Sequence, residues 1–458
     1  MKASMSIQEL NKGDTITHRQ YLVLALPLII SGISTPLLGA VDTAVVGRIP
    51  DPAAIGGVAV GAVIFNTMYW LLGFLRVSTS GFTAQAQGAN SDKEILLSLY
   101  RPMILAILFG FLFILFQQPI LHIALSLIGG SEAVSSFAAT YFSIRIWGAP
   151  FILLSYVLIG WLIGMGKVKL ALVMQISMNL LNIVLDVFFV LGLGMGVVGV
   201  AYATLISEVG VVFVGMVFIL RKHIMKLLQI KLPMLLEPES LLKMLKVNRD
   251  LFLRTVCLLT MTILFTAKGA SFGEVTLAAN AILLQIHYII AYLFGGFANA
   301  SSILVGRAIG GKKQELYHQA YRLSAQWGSI AAILSVVTIL LFGSQLGSLF
   351  TTIEEVRWMT TEFMIWMVVY SIVGVWGLQL EGIFSGATEA KSIRNSIMWA
   401  LLVFLIALWW FVPIYQNQGL WLAFVIFSLS RSVFLSLYIP KLTRTAFKVP
   451  GTIRGQTS

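Results

Sequence analysis

The stretch NLLNIVLDVFFVLGLGMGVVGVAYAT, residues 179–204, sets four polar residues, Asn179, Asn182, Asp186 and Thr204, into otherwise apolar sequence. Asn182 and Asp186 are four residues apart, so on a helix they share a face, and Asn179 extends that stripe by one turn. A carboxylate deep in hydrocarbon costs about 2.5–3.5 kcal/mol on insertion scales, so such groups usually face a partner or a water-filled cavity. The same situation arises in PLLGAVDTAVVGRIP, residues 36–50, where Asp42 stands near the end of an uncharged run that begins at Tyr21.

Composition explains why these positions count as deep. Over 458 residues, 58% are hydrophobic and only 11% are charged, which is too little polar surface for a soluble globule and points to an integral membrane protein. The single cysteine, Cys257, excludes an intramolecular disulfide and any cysteine-based zinc or redox pair. The first apolar run is too long for the core of a cleaved signal peptide and is expected to remain as the first span. Apolar runs of spanning length predict twelve helices, an all-α membrane fold, near 20–47, 54–82, 99–122, 136–160, 168–192, 197–220, 251–272, 277–306, 322–345, 358–387, 396–415 and 419–440.

Charge orients this bundle. Lys2, Lys12, Arg19, Lys93, Arg101, Lys167, Lys169, Lys312, Lys313, Lys391 and Arg394 all fall on one side, together with the basic segment from Arg221 to Arg249 and the C-terminal lysines and arginines. The positive-inside rule then puts both termini in the cytoplasm. The net charge of +12 follows topology, and no nucleic-acid partner is inferred from it.

The long polar interruption at 221–250 divides the chain into six spans and six, an N-terminal half at 1–220 and a C-terminal half at 251–458 joined by a basic cytoplasmic connector. An offset of about 222 residues lays Gly88 on Gly310, Gly160 on Gly382, Gly164 on Gly386 and Lys169 on Lys391. Because six is even, both halves enter from the same side, which gives parallel repeats with pseudo-symmetry about an axis normal to the membrane. The offset fails where it is most informative. Asp42 maps to Leu264, Asn182 to Phe404 and Asp186 to Leu408, so packing symmetry cannot explain the polar groups of the first half.

At 1.5 Å of rise per residue, Asp42 lies about 31 Å along the first span, Asp186 about 26 Å along the fifth and Thr204 about 10 Å below the start of the sixth. All three fall in the outer half of the membrane. Carboxylate, carbonyl and hydroxyl oxygens suit a proton or a hard cation such as sodium, and two nearby carboxylates in low dielectric let one hold a proton near physiological pH. Pro27 and Pro36 each remove a backbone hydrogen bond and offer the first helix a bend beside Asp42. Arg76, Arg145, Glu208, Glu381 and Arg431 are read as interhelix pairs or as cavity-facing groups. Asn179 and Glu381 are further candidates for a polar cavity.

These residues resemble the multidrug and toxic compound extrusion (MATE) family, and within it the DinF branch. The likeness covers nearly the whole chain and rests on ALPLII followed by PLLGAVDTAVVGR, on TAQAQGA, IGGSEAV and the 179–204 block, and on GIFSGATEAKSIRNSI. It implies two six-helix lobes forming a V, and export of cationic or amphipathic small molecules against an inward flux of protons or, alternatively, sodium. It places the coupling residues on Asp42, Asn182, Asp186 and Thr204 and the bending proline on Pro27. The chain departs from the family in having no Asp or Glu between Asp250 and Glu274, where many relatives carry a second cation site, and in having Glu381 where many carry Gln.

The expected protein is therefore a monomeric, multi-pass secondary antiporter of the bacterial inner membrane, with no cofactor beyond its coupling ion and no certain metal. The alternative is a lipid-linked saccharide flippase of the same superfamily. An enzyme is not expected, since no HExxH or Gly-x-Ser-x-Gly motif is present and His18, His122, His223, His287 and His318 are scattered.

Overall fold

The computed structural model describes residues 15–49, 51–129, 131–227 and 230–447, with side chains at all of these except 35–44, 218–227 and 232. Among the described residues every regular element is a helix. The first, α1 (His18–Val46), leads to α2 (Pro52–Leu71) and α3 (Phe74–Gly88), which share the second expected span and are separated only by Leu72 and Gly73. The start of α2 is fixed by Asp51, whose carboxylate accepts from the Ala53 amide at 2.8 Å, and by Pro52 in the first turn, where no donor is missed.

Next come α4 (Asp92–Leu115), capped by the Ser91 hydroxyl, and α5 (Gln117–Ile128). One 3₁₀ turn, Ile146–Gly148, joins α6 (Glu132–Arg145) to α7 (Ala149–Gly164). From α8 (Val168–Asp186) the chain passes through a π-helical turn, Val187–Gly192, and reaches α9 (Gly196–Leu227). The remainder consists of α10 (Leu232–Leu235), α11 (Pro238–Ala270), α12 (Glu274–Gly310), α13 (Gln314–Phe350), α14 (Glu354–Phe363), α15 (Ile365–Gly386), α16 (Ala390–Ser436) and α17 (Ile439–Ala446).

Among the described residues ten helical stretches are long and apolar enough to cross a membrane. One of these, Ala390–Ala446, contains two crossings, because the backbone leaves the helical region at Gln416 (φ 49°, ψ −124°). With α1 the total is the expected twelve. Several helices overrun their expected ends. The seventh, expected from 251, begins at Pro238, since Lys243, Lys246 and Arg249 end the apolar run without ending the helix.

The chain forms two compact units. Of the described residues, one comprises those within Leu22–Ala86 and Ser91–Val256, and the other holds those from Cys257 to Phe447 together with Gln87–Asn90 and those from 15 to Tyr21. The changeover thus falls inside α11, and α1 gives its first residues to the second unit. There the Tyr21 hydroxyl donates to the Phe297 carbonyl at 3.0 Å and lies 2.8 Å from Ser301 Oγ.

Both units are assembled by the same contacts. A β-carbon at Gly160 would strike the Arg76 carbonyl and one at Gly164 the Ser80 carbonyl, while in the second unit Gly382 meets the Ala298 carbonyl and Gly386 that of Ser302. Each partner pair keeps the 222-residue offset, and small residues at these crossings let helix backbones touch, as packing within lipid requires. The turns repeat as well. Left-handed backbone occurs at Asn90 (φ 52°) and Lys312 (φ 55°), at Gly166 (φ 72°) and Thr388 (φ 58°), and at Gly194 (φ 65°) and Gln416 (φ 49°), again 222 apart.

Candidate functional site

The polar stripe of α8 turns inward. Asn179, Asn182 and Asp186 are 7%, 4% and 1% exposed, whereas Leu180, Val184 and Phe188, which follow on the opposite face, are more than half exposed. An apolar outer face and a polar inner one are the pattern expected of a helix set between lipid and a bundle interior. Asn179 Oδ1 accepts from Gln175 Nε2 at 3.3 Å, one turn away.

The neighbouring α9 supplies the fourth member. Asn182 Nδ2 donates to Thr204 Oγ1 at 3.3 Å, and that hydroxyl donates in turn to the Val200 carbonyl at 3.1 Å. Asp186 is the last α-helical residue before the π turn, which widens the helix where the carboxylate sits. Gly194 and Gly196 then take positive φ, which glycine adopts without steric cost, and reverse the chain into α9. The structure thus joins Asn182 to Thr204 and buries Asp186 one turn from Asn182. The oxygens of Asp186, Asn182 and Thr204 are the hard donors available to a cation.

Asp42 lies on α1, and its side chain is outside the described residues, so its place relative to Asp186 is not assigned. Pro36 is outside them in the same sense. Pro27 is buried, and α1 continues helically through it.

Two further buried ion pairs join helices. In the first unit Arg145 Nη2 meets Glu208 Oε1 at 3.3 Å, and Arg145 Nη1 donates to the Tyr141 hydroxyl at 2.8 Å. In the second unit Glu381, 8% exposed, pairs with Arg431. Sequence spacing gave no sign of which charge meets which, because the Arg145 and Glu208 positions lie 63 residues apart and the Glu381 and Arg431 positions 50. It did contain one unused signal, the four-residue interval from Thr204 to Glu208 on a single helix.

The MatE family pattern matches residues 27–188 and 251–414, well over half the chain and once in each half. The chain belongs to the MatE family. It is therefore a multi-pass membrane protein of a transporter family, not an enzyme family. It is 38% identical over 415 residues to DNA damage-inducible protein F of Escherichia coli (strain K12), with 90% of each chain covered. At 22% identity it resembles a probable multidrug resistance protein NorM of Bacillus cereus, with 85% of this chain and 86% of that one covered. Among solved structures it shares its fold with a multidrug resistance MATE family transporter of the MOP superfamily in an outward-facing conformation. That likeness has a TM-score of 0.86 at 22% identity and covers 98% of this chain and 100% of that one.

Proposed function

We propose that this MatE protein is a secondary active antiporter of the bacterial inner membrane, exporting cationic or amphipathic small molecules in exchange for protons, with sodium as the other candidate ion. The observation that carries this reading is Asp186, 1% exposed on a membrane helix one turn from the Asn182–Thr204 hydrogen bond. A carboxylate so placed is expensive in hydrocarbon and earns retention through the charge it can gain and lose. The relative named for DNA damage and the NorM proteins named for multidrug resistance support export of toxic compounds.

Asp42, Asp186, Asn182 and Thr204 are assigned to ion coupling, Pro27 to bending of α1, and Asn179 and Glu381 to polar cavity surface. The protein works as a monomer with both termini in the cytoplasm and without nucleic acid. Ion and substrate compete by favouring opposite states, since a ligand shifts an equilibrium only through differential affinity. The halves at 1–220 and 251–458, joined through 221–250, are proposed as the moving parts.

The test uses purified protein in liposomes loaded with ethidium, first under an imposed proton gradient and then under a sodium gradient. Efflux with the proton gradient alone is expected. Efflux with the sodium gradient alone would replace the ion, and efflux with neither would end the antiporter reading.

A further inference from the structure

Glu208 is a buried carboxylate that the coupling set above does not use. It is 3% exposed, and it stands four residues after Thr204, so the two side chains lie on one face of α9, a turn apart. Its link to Arg145 is one contact of 3.3 Å through Oε1. Oε2 is buried and, among the described residues, has no hydrogen-bond partner. An ionised carboxylate in a dry site calls for several short hydrogen bonds, and a bidentate arginine fork is the usual way to supply them. Glu208 has neither.

Arg145, by contrast, does not depend on Glu208 alone. Its guanidinium centre is 4.7 Å from the centroid of the Phe65 ring, 5.6 Å from that of Tyr141 and 5.9 Å from that of Tyr69. It also holds the Tyr141 hydroxyl at 2.8 Å. Three ring faces and a phenol oxygen can support a cation when its carboxylate partner becomes neutral. A pair built only to hold helices together would leave the arginine stranded by that change. The charged and titratable groups on the helices packed against α9 are Arg145 and Tyr141 on α6, Tyr69 on α2, Tyr156 on α7 and Asp186 on α8, besides Glu132 and Lys169 at far helix ends.

We propose that Glu208 is a further proton-binding carboxylate of the first half, besides Asp42 and Asp186 and one helical turn beyond the Asp186–Asn182–Thr204 set, with Arg145 in its aromatic box as a permanent counter-ion. This rests on the proton-coupled reading given above. The step is a protonation: an O–H bond forms at Oε2 with a proton from water admitted to the site, the Glu208 charge is lost, and Arg145 keeps its charge against the rings. Deprotonation restores the ion pair. Glu208 and Asp186 are then linked proton positions on adjoining helices, and the state of each bears on the other.

The experiment is infrared difference spectroscopy of the full-length protein in liposomes, titrated from mildly acidic to mildly alkaline pH, reading the protonated-carboxyl stretch. The wild type is expected to lose that band in separate components as pH rises, among them one from Glu208 and one from Asp186 besides that of Asp42. Glu208→Gln should remove one component and Asp186→Asn a different one, while Glu208→Asp shifts its component without abolishing it. A titration in Glu208→Gln that matches wild type would overturn the proposal, because Glu208 would then remain ionised beside Arg145 throughout. If Glu208→Gln alone does not yield folded protein, Arg145→Met combined with Glu208→Gln removes both charges and is read by the same criterion. Ethidium efflux is measured in the same liposomes. A titrating component lost in Glu208→Gln and kept in Asp186→Asn upholds the proposal even if no gradient drives efflux, a result that would remove only the antiporter reading.

Discussion

Along the fifth and sixth spans the first half buries Asn182 and Asp186 and leaves Thr204 half-buried; 222 residues later the second half carries Phe404, Leu408 and Ile426. Phe404 is fully buried and packs against Phe427, with ring centroids 6.0 Å apart, so the second half fills with hydrocarbon the space that the first gives to polar groups. The helix crossings and turns on either side are the same in both halves. One scaffold accepts either filling, and the polar set is therefore not what holds it together. The buried ion pairs differ in another way. In the first half the fourth span supplies the arginine and the sixth the glutamate, while in the second half the tenth supplies the glutamate and the twelfth the arginine.

The largest effect should come from breaking what the halves share. Gly164→Val and Gly386→Val each drive a side chain into the carbonyl of a facing helix, Ser80 or Ser302. Overpacking of this kind costs about 1–3 kcal/mol and more where backbone must move, so both variants should lose most folded protein by size-exclusion chromatography and thermal melting. Tolerance at one site and not at the other would show that the two crossings are not equivalent.

The next effect comes from giving the first half the filling of the second. Asn182→Phe with Asp186→Leu should leave a folded, inserted protein that no longer couples efflux to a gradient. Asp42→Asn should do likewise with less change of shape. For a cationic substrate, binding should strengthen as pH rises, because the ionised carboxylates attract it and their protonated forms do not. Asp186→Asn should flatten that dependence, measured as ethidium affinity across pH in detergent. A wild-type profile in Asp186→Asn would remove it from the coupling set.

A smaller change is expected from the second half. Glu381→Gln leaves Arg431 charged without its carboxylate, so thermal stability should fall more than transport does, and coupling should persist. Uncoupling in this variant would move the ion site into the second half. The smallest effect should be that of Pro27→Ala, which restores a backbone donor and stiffens α1. Efflux should slow severalfold while the pH dependence of binding stays as in wild type. A shift in that profile would tie the proline to the chemistry of the site as well as to its motion.

Much of this was legible from the residues. Spanning length marks the helices because backbone groups in hydrocarbon must satisfy one another, and the Asn179–Asn182–Asp186 spacing marks a face because the helical period is fixed. The repeat could be read from a few glycines because backbones that touch leave no room for a side chain. Other features were hidden. The early start of α11 was missed because charged residues end an apolar run and not a helix. The partners of Arg145 and Arg431 were missed because pairing over long chain separations depends on tertiary packing. The π turn after Asp186 has no periodic signature in VFFVLG.

Left-handed backbone at Lys312, Thr388 and Gln416 has a historical consequence. Ordinary side chains resist that conformation, and glycine stands at two of the three counterparts in the first half, yet the second half has kept the geometry without the residue that favours it. This is the record expected of an ancestral six-helix gene copied in tandem and fused. The two copies then diverged in what fills the fifth and sixth spans, polar in one and hydrocarbon in the other, while the turns stayed where the ancestor had put them.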